Sequence, residues 1–288
     1  MTDTRVPARV FHPASEEAEA ARHFTQTPQT AHPAYRLAFQ DNDFLLREDL
    51  RPVRFQLELL KPELLLDEAQ IGSTFVFYGS ARIPEPAKAE SLLALASDER
   101  SRAIAERLIA KSRYYEVARA LAQAASGVPR DTEGKRHFVV CSGGGPSIME
   151  AANRGAADVG ADSIGLNIVL PHEQTPNAYV TPGLSFQFHY FALRKMHFLL
   201  RARAVAVFPG GFGTFDEFFE LLTLMQTGKV SPIPVLLYGR EFWNRVVDFE
   251  GLAEEGVIAT KDLELFHFVE SAEEGWDFVC DWWRQHER

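Results

Sequence analysis

The chain has 288 residues, of which 46% are apolar and 24% are charged, and its formal net charge is −10. This composition can bury a substantial core, which excludes a largely disordered chain. The acidic balance argues against a nucleic-acid-binding protein, because such proteins need excess Lys and Arg to displace counterions from phosphates. The two cysteines, Cys141 and Cys280, are too few for a disulfide framework or a four-thiolate zinc site, which favours a reducing compartment.

The start of the chain, Met1 to Ala14, lacks the charged-then-apolar order of a signal peptide. No apolar stretch approaches the roughly 20 residues that a membrane-spanning helix requires. The sequence therefore predicts a cytoplasmic protein that binds neither a membrane nor a nucleic acid.

The first 70 residues differ in pattern from the rest of the chain. Residues 1–34 carry scattered Pro, Thr, His and Ala without a sustained apolar period. From Tyr35 to Ala69, apolar residues recur among acids and bases and are interrupted by Pro52 and Pro62. This pattern predicts two or three short helices that form a cap or an oligomer surface. We predict a partly helical N-terminal extension over residues 1–70.

Residues 71–288 alternate between short apolar runs and helical stretches. The runs predicted as strands are Ser73–Tyr78, His137–Cys141, Ser163–Val169, Ala204–Phe208, Pro234–Tyr238 and Phe266–Val269. The stretches predicted as helices are residues 87–125, Ser147–Val159, Phe215–Thr227 and Glu273–Gln285. Such alternation, without strands of period two, predicts an α/β fold with a mostly parallel sheet and helices on both faces.

Three of the predicted strand-to-helix junctions are rich in glycine or serine. In an open parallel sheet these junctions lie along the carboxyl edge, where ligands bind. Glycine lets the backbone pass close to a ligand, and the following helix offers unpaired N–H groups and a partial positive charge. A single such turn is also compatible with tight packing alone, but three together predict an anion cradle. The candidate residues are Gly79, Ser80, Gly143, Gly144, Gly145, Gly210, Gly211, Gly213 and Thr214.

Known cofactor and metal signatures are incomplete in this chain. The segment from Gly211 to Asp216 lacks the third glycine of the dinucleotide fingerprint, which argues against NAD. Gly228 and Lys229 have neither the upstream glycine nor the hydroxyl of a Walker A loop. His172 is followed by Glu173 but by no second histidine at metal-ligand spacing. We therefore expect chemistry without a cofactor or a metal.

Glu217 and the pair Arg194-Lys195 each allow two interpretations. Thr214 and Glu217 match the spacing of a capping box, in which they would stabilise the first turn of the helix. A carboxylate one turn inside an anion cradle can also reach the sugar of a nucleotide whose phosphate lies on the glycines. Arg194 and Lys195 lie in a predicted helix, where they are compatible with a solvated face as well as with ligand binding.

The motifs of the chain resemble those of a known family. Pro209 to Glu217 matches the pattern Pro-Gly-Gly-x-Gly-Thr-x-x-Glu at every specified position. Gly143 to Ala151 resembles Gly-Gly-Gly-Pro-Gly-x-Met-Glu-Ala, and Gly79-Ser80 and Arg194-Lys195 match two further motifs. In this order, the motifs resemble the Lonely Guy family of cytokinin riboside 5′-monophosphate phosphoribohydrolases and their bacterial relatives. The likeness extends over Phe75 to Val269.

The resemblance implies a Rossmann-like doubly wound domain that forms a homodimer or a larger oligomer. It also implies that Arg194 and Glu217 are the catalytic pair, with Lys195 as a supporting charge for substrate binding. Relatives are often labelled lysine decarboxylases, but no pyridoxal phosphate site is recognisable in this sequence. The chain departs from the family at Ser147, where glycine is frequent, and at Phe191, where short plant members carry Met. Residues 1–70 have no counterpart in those short members.

The predicted reaction is hydrolysis of the N-glycosidic bond of a nucleoside 5′-monophosphate, either AMP or an N6-modified AMP such as a cytokinin riboside monophosphate. The alternative is a carrier of the same fold that holds a nucleotide or the molybdenum cofactor on its glycine loops. A protein that uses its N-terminal helices for assembly is a third possibility. No motif decides the base preference, the pathway, the oligomer size or the separate roles of the loops at Gly79-Ser80 and Gly143 to Gly145.

Overall fold

The computed structural model of the protein describes residues 11–171 and 175–286. His172 and Glu173, the pair weighed above as a metal ligand and its neighbour, lie outside these residues. The chain divides into two compact units, Met1–Glu58 and Leu59–Arg288. The residues predicted above to bind the ligand or to be catalytic all belong to the second unit.

The N-terminal region is helical, as the sequence predicts. Its α-helices are α1 (Ala14–Ala20), α2 (Asn42–Leu45) and α3 (Arg51–Glu68), with 3-10 helices at Ala21–His23, Pro33–Tyr35, Ala38–Gln40 and Glu48–Leu50. Pro52 and Pro62 interrupt the apolar pattern without ending a helix, because α3 continues through both. Pro52 lies in the first turn, where its missing N–H has no helical partner. Pro62 is buried within the helix and removes one backbone hydrogen bond without ending it.

The second unit is built on a parallel sheet of seven strands in the order β4-β3-β2-β1-β5-β6-β7. The strands are β1 (Thr74–Tyr78), β2 (Val139–Ser142), β3 (Ser163–Ile168), β4 (Ser185–Phe188), β5 (Ala202–Val207), β6 (Val235–Tyr238) and β7 (His267–Val269). In the centre, Phe75 of β1 lies beside Val140 of β2 and Ala204 of β5. All neighbouring strands run parallel, which confirms the predicted mostly parallel, Rossmann-like architecture.

Helices cover both faces of this sheet. They are α4 (Pro86–Ala89), α5 (Ser91–Ala94), α6 (Glu99–Lys111), α7 (Arg113–Ser126), α8 (Ile148–Asp158), α9 (Phe191–Leu200), α10 (Phe212–Gln226), α11 (Arg240–Val246), α12 (Phe249–Glu254) and α13 (Ala272–His286), with 3-10 helices at Pro182–Leu184 and Thr260–Leu265. Phe75 and Phe77 of β1 join a core with residues of α7, α8 and α13. Val76 and Tyr78 face the opposite way and join a core with residues of α9, α10 and α11. The alternation buries every residue of β1, as a doubly covered parallel strand requires.

Two sequence-based predictions of secondary structure are wrong. The single helix predicted over residues 87–125 is divided into α4 to α7, because Asp98 and Ser101 form a capping box that starts α6 anew. Strand β4 is missing from the strands predicted by the sequence. It lies at the edge of the sheet, where Phe186 and Phe188 are buried and Gln187 is exposed, so it has the period of two that was expected to be absent.

The strand order places a topological switch at the centre of the sheet. From β1 the chain proceeds outward through β2, β3 and β4, and it then returns to the other side of β1 as β5. Connections on the two sides therefore leave in opposite directions, and a crevice opens at the carboxyl ends of β1 and β5. The backbone N–H of Ser80, after β1, donates to the carbonyl of Pro209, after β5, at 3.1 Å. The fold thus joins two of the predicted ligand loops.

Candidate active site

The glycine-rich loops after β1, β2 and β5 converge on a cleft of about 870 Å³. Pockets of several hundred cubic ångströms are typical of sites for small molecules and cofactors. Much of the lining consists of residues predicted from the sequence, namely Gly79, Ser80, Gly143, Gly145, Arg194, Gly210, Gly211, Gly213, Thr214 and Glu217. Gly144 and Lys195 are described by the structure but do not line the cleft.

A buried network of polar side chains holds the Gly143 to Gly145 loop. The Ser142 hydroxyl accepts from the backbone N–H of Gly144 at 3.0 Å and donates to the Asn153 side-chain oxygen at 2.7 Å. The Asn177 amide donates to that same oxygen at 2.9 Å and to the carbonyl of Gly145 at 3.0 Å. Asn153 and Asn177 were not predicted from the sequence, since no local pattern marks them. Because the loop is tied on both sides, its shape is set before a ligand arrives.

Arg194 and Glu217 form an ion pair inside the cleft. Arg194 lies on α9 and Glu217 on α10, and the Nη1 atom of Arg194 is 3.2 Å from Oε1 of Glu217. The Nε–H of Arg194 donates to the carbonyl of Leu166 at 2.7 Å, and its guanidinium lies 4.9 Å from the ring centroid of Phe198. The two side chains are only 11% and 13% exposed. This pair is therefore rigid and largely desolvated, which excludes the solvated-face interpretation of Arg194.

Gly143 makes room for that guanidinium. A Cβ atom at Gly143 would lie 2.6 Å from Nη2 of Arg194 and 2.8 Å from the sulfur of Met149. Real Cβ atoms do not approach heavy atoms that closely, so a side chain here would require the Arg194 guanidinium and the Met149 side chain to shift. The absence of a side chain at Gly143 thus leaves room for the guanidinium beside Glu217.

Glu217 does not act as a helix cap. Helix α10 begins at Phe212 with Gly211 as its N-cap, and no side chain caps it. Thr214 is therefore inside the first turn, and Glu217 lies one turn further along the helix. The capping-box interpretation assumed a later helix start and is wrong, because the helix already begins at Phe212, two residues before Thr214.

The Glu217 carboxyl has a raised pKa and titrates near neutrality. Burial raises its pKa from the ordinary value of 4.5 to about 7, while the charge of Arg194 opposes part of that rise. A carboxyl with a pKa close to the working pH can both accept and return a proton. In chemical terms the site combines a proton acceptor, a fixed guanidinium and open backbone N–H groups at a helix start.

The raised pKa of Glu217 predicts a pH-dependent stability difference. In the unfolded chain this carboxyl ionises near 4.5, whereas in the folded protein it ionises near 7. Between these values only the folded state holds the proton, so raising the pH costs folding free energy, in total roughly 3 kcal/mol. Glu217→Gln removes this titration. We expect the stability of the variant relative to the wild type to rise between pH 4.5 and 7 in urea unfolding, and parallel curves would contradict the burial of a titrating carboxyl.

Lys195 points away from the cleft, towards two other acids of α10. Its ammonium lies 3.1 Å from an Asp216 oxygen and 3.2 Å from a Glu220 oxygen. Adjacent residues of a helix point in different directions, which explains why Arg194 reaches the cleft and Lys195 does not. Lys195 ties α9 to α10, so its contribution to the cleft is to position the helices that carry Arg194 and Glu217.

Several lining residues were not predicted from the sequence. Among the described residues, the additional members of the lining are Ala81, Arg82, Met149, Asn167, Ile168, Leu170, Phe191, Phe212, Phe215, Phe242 and Val246. Phe212 is 98% exposed and Phe191 is 54% exposed, so the cleft has an open apolar flank. Phe212 could have been predicted as a lining residue, because it lies between the glycines of the loop after β5. Phe242 and Val246 could not, because they lie on α11, which only the fold brings near the cleft.

Residues 149–279 match a family model described as a possible lysine decarboxylase. This segment includes Arg194, Glu217 and the whole loop after β5. The matched segment makes up less than half of the chain. The match confirms the family resemblance indicated by the motifs, since the bacterial relatives of Lonely Guy proteins often carry that label.

The residues of the cleft do not support the decarboxylase label of the matched family model. Pyridoxal phosphate chemistry requires a lysine amine that can form a Schiff base. No lysine is among the lining residues within 11–171 and 175–286, and the amine of Lys195 is held by two carboxylates outside the cleft. The residues of this cleft therefore do not fit pyridoxal phosphate.

Solved structures also match this chain, whereas no curated protein matches it significantly. The molybdenum cofactor carrier protein of Chlamydomonas reinhardtii is 17% identical, with 73% of this chain and 96% of that chain covered and a TM-score of 0.42. A second structure of the carrier from that organism is 16% identical, with coverages of 73% and 97% and a TM-score of 0.40. A structural-genomics target named TM1055 is 18% identical, with coverages of 73% and 99% and a TM-score of 0.43.

The described residues hold no group of three or more His, Cys, Asp or Glu side chains arranged to bind a metal ion. Likewise, no helix within the described part of the chain is long and apolar enough to cross a membrane.

Proposed function

We propose that this protein hydrolyses the N-glycosidic bond of a nucleoside 5′-monophosphate, releasing the free base and ribose 5-phosphate. The observation that carries this proposal is the buried Arg194–Glu217 pair, placed in the same cleft as three glycine loops. A cradle for phosphate alone would need no desolvated carboxyl with a pKa near 7. The pair therefore favours an enzyme over a carrier.

The proposed reaction begins with the phosphate. It lies on Gly210, Gly211, Gly213 and Thr214, where the N–H groups and partial positive charge at the start of α10 stabilise an anion. Gly211 and Gly213 have open space where a Cβ would project, so a ligand can approach their backbone closely. The ribose then extends from this end of the cleft towards Glu217.

Cleavage breaks the bond between C1′ and the base nitrogen and passes through an oxocarbenium-like sugar. The Glu217 carboxylate stabilises the positive charge at C1′ and accepts a proton from the water whose oxygen bonds to that carbon. The base leaves with the bond electrons and takes a proton from solvent, while Glu217 releases the proton that it accepted from the water, so the protons balance. Arg194 holds Glu217 in place and offers its remaining N–H groups to the ribose hydroxyls.

The other loops and the apolar flank complete the proposed complex. Gly79, Ser80 and the loop from Gly143 to Gly145 contact the ribose and the base. Phe191 and Phe212 offer aromatic surface on which a purine, AMP or an N6-modified AMP, can pack. We also propose that the chain forms a homodimer or a larger oligomer, as the family resemblance implies.

The test is release of free base from a panel of nucleoside 5′-monophosphates, with the matching nucleosides as controls. We expect release from monophosphates only, because the nucleosides lack the group that the α10 cradle holds. Absence of release from every nucleotide, together with a pterin absorbance in the purified protein, would contradict the hydrolase and support the carrier.

Gly211→Ala tests the phosphate cradle with little risk to the fold. In the free protein a Cβ at Gly211 meets nothing within 4 Å, and the same holds at Gly183, which lies outside the cleft. Both alanine variants should unfold at the wild-type temperature. Only Gly211→Ala should raise KM for the monophosphate, by roughly tenfold or more, because the methyl group occupies the space of a phosphate oxygen. Equal KM values for the two variants would place the phosphate elsewhere.

A further inference from the structure

A second arginine, Arg82, lines the same cleft. It follows the Gly79-Ser80 turn at the end of β1, on the other side of the central crevice from the α10 cradle. Its side chain is exposed, and within residues 11–171 and 175–286 no carboxylate lies within ion-pair distance of its guanidinium. Arg82 is therefore a cation of the cleft whose charge is available to a ligand.

The loop that carries Arg82 is anchored on both sides. The backbone N–H of Arg82 donates to the Ser80 hydroxyl at 3.0 Å. Ile83 is buried in the core, and its carbonyl accepts a hydrogen bond from the Ser147 hydroxyl. Further along, the Glu85 carboxylate pairs with Arg154 of α8 at 2.8 Å. The backbone at Arg82 is thus held, and a held residue loses less conformational freedom when it binds.

Ser147 is the residue at which the chain departs from the family's glycine. Its φ of 69° lies in the region that favours glycine, so a serine here costs backbone strain. The hydroxyl is buried and bonds the Ile83 carbonyl, a contact that glycine cannot make. The strain is therefore offset by a bond that fixes the Arg82 loop.

The charges of the cleft leave a phosphate incompletely neutralised without Arg82. At neutral pH a phosphate monoester carries between one and two negative charges. The start of α10 supplies roughly half a positive charge. Arg194 is already paired with Glu217 and bonded to the Leu166 carbonyl. A further positive charge would complete the neutralisation, and Arg82 carries one in the cleft without an ion-pair partner among the described residues.

We propose that Arg82 binds the phosphate of the phosphoribosyl group from the β1 side, and that Ser147 positions its loop for this contact. The identity of the ligand rests on the proposed function. The planar guanidinium can hold two phosphate oxygens at once, which a lysine cannot do. The phosphate is then bound between Arg82 and the first turn of α10.

Calorimetric titration with ribose 5-phosphate, and with ribose as the uncharged control, tests this proposal. Arg82→Gln should weaken ribose 5-phosphate binding roughly tenfold to a hundredfold, with Arg82→Lys in between. The matched control Arg102→Gln, on exposed α6 outside the cleft, should bind as the wild type does. Ser147→Gly relieves the positive φ and should not lower the unfolding temperature, yet it should weaken ribose 5-phosphate binding several-fold by freeing the loop.

These experiments distinguish a failure of the Arg82 proposal from a failure of the proposed hydrolase activity. Wild-type affinity in Arg82→Gln would overturn the role of Arg82, and wild-type affinity in Ser147→Gly would overturn the positioning role of Ser147. A wild-type protein that binds ribose but not ribose 5-phosphate would also overturn the proposal. If Arg82→Gln weakens ribose 5-phosphate binding while the wild type releases no base from any nucleotide, the Arg82 site stands and the hydrolase fails.

Discussion

Glu217→Gln is expected to lower the rate of base release by roughly 10²–10³-fold, while the variant still binds the monophosphate. The amide is nearly isosteric with the carboxyl, so the cleft keeps its shape. It carries no negative charge for the developing oxocarbenium ion and cannot accept a proton from water, and losses of this size follow removal of one transition-state contact. Single-turnover base release by chromatography, together with nucleotide binding by calorimetry, separates the two effects.

A matched control for this variant lies on the same helix. Glu220→Gln removes a carboxylate of α10 that pairs with Lys195 outside the cleft. It should retain base release within a few-fold of the wild type, since no reacting atom contacts it. Full activity in Glu217→Gln would remove Glu217 from the chemistry, and equal losses in both variants would indicate that the charge of α10 matters rather than one carboxylate.

Arg194→Met is expected to slow base release by roughly 10²-fold and to shift its pH dependence upward. Arg194 lowers the pKa of Glu217 that burial raises, so its removal raises that pKa above about 7. The reactive carboxylate is then populated only at higher pH. Initial rates measured from pH 5 to 10 should show the ascending limb displaced to higher pH than in the wild type.

Stability gives a second readout for the same variant. Without its cation the buried Glu217 must either ionise unpaired or keep its proton, and the first option costs on the order of 3 kcal/mol. Arg194→Met should therefore be destabilised more at pH 9 than at pH 6, and adding Glu217→Gln should remove this pH dependence. An unchanged pH–rate profile and a pH-independent stability loss would show that Arg194 and Glu217 are not coupled.

The ligand loops were predictable because their chemistry is local. The glycines at Gly143 to Gly145 and Gly210 to Gly213 follow apolar runs, and in a parallel sheet such junctions must meet at one edge. The segment from Pro209 to Glu217, which matches the family pattern at every specified position, predicted Glu217 as the carboxylate of the site. Even so, local spacing suggested a capping box for Thr214 and Glu217, and only the start of α10 at Phe212 decided against it.

The residues that support the site were not predictable in this way. Asn153 of α8 and Asn177, which is 32 residues after Gly145, stabilise the Gly143 to Gly145 loop from outside the glycine motif, and Ser147 reaches back to Ile83. Polar residues at such positions have no local pattern that separates them from solvated ones. Lys195 shows the converse: its motif predicted a place in the cleft, but its helix position directs it to Asp216 and Glu220.

By itself the sequence determined the alternation of buried strands and helices, the glycine turns and the residue types of the cleft, because hydrophobic period and backbone freedom are properties of short segments. Only the tertiary structure decided that Arg194 meets Glu217 at 3.2 Å and that burial brings the pKa of Glu217 to about 7. It also decided that Arg82 lines the same cleft without an ion-pair partner in the described part of the chain. Distances between helices, desolvation and charge pairing depend on how distant segments pack, and no short segment of the chain contains that information.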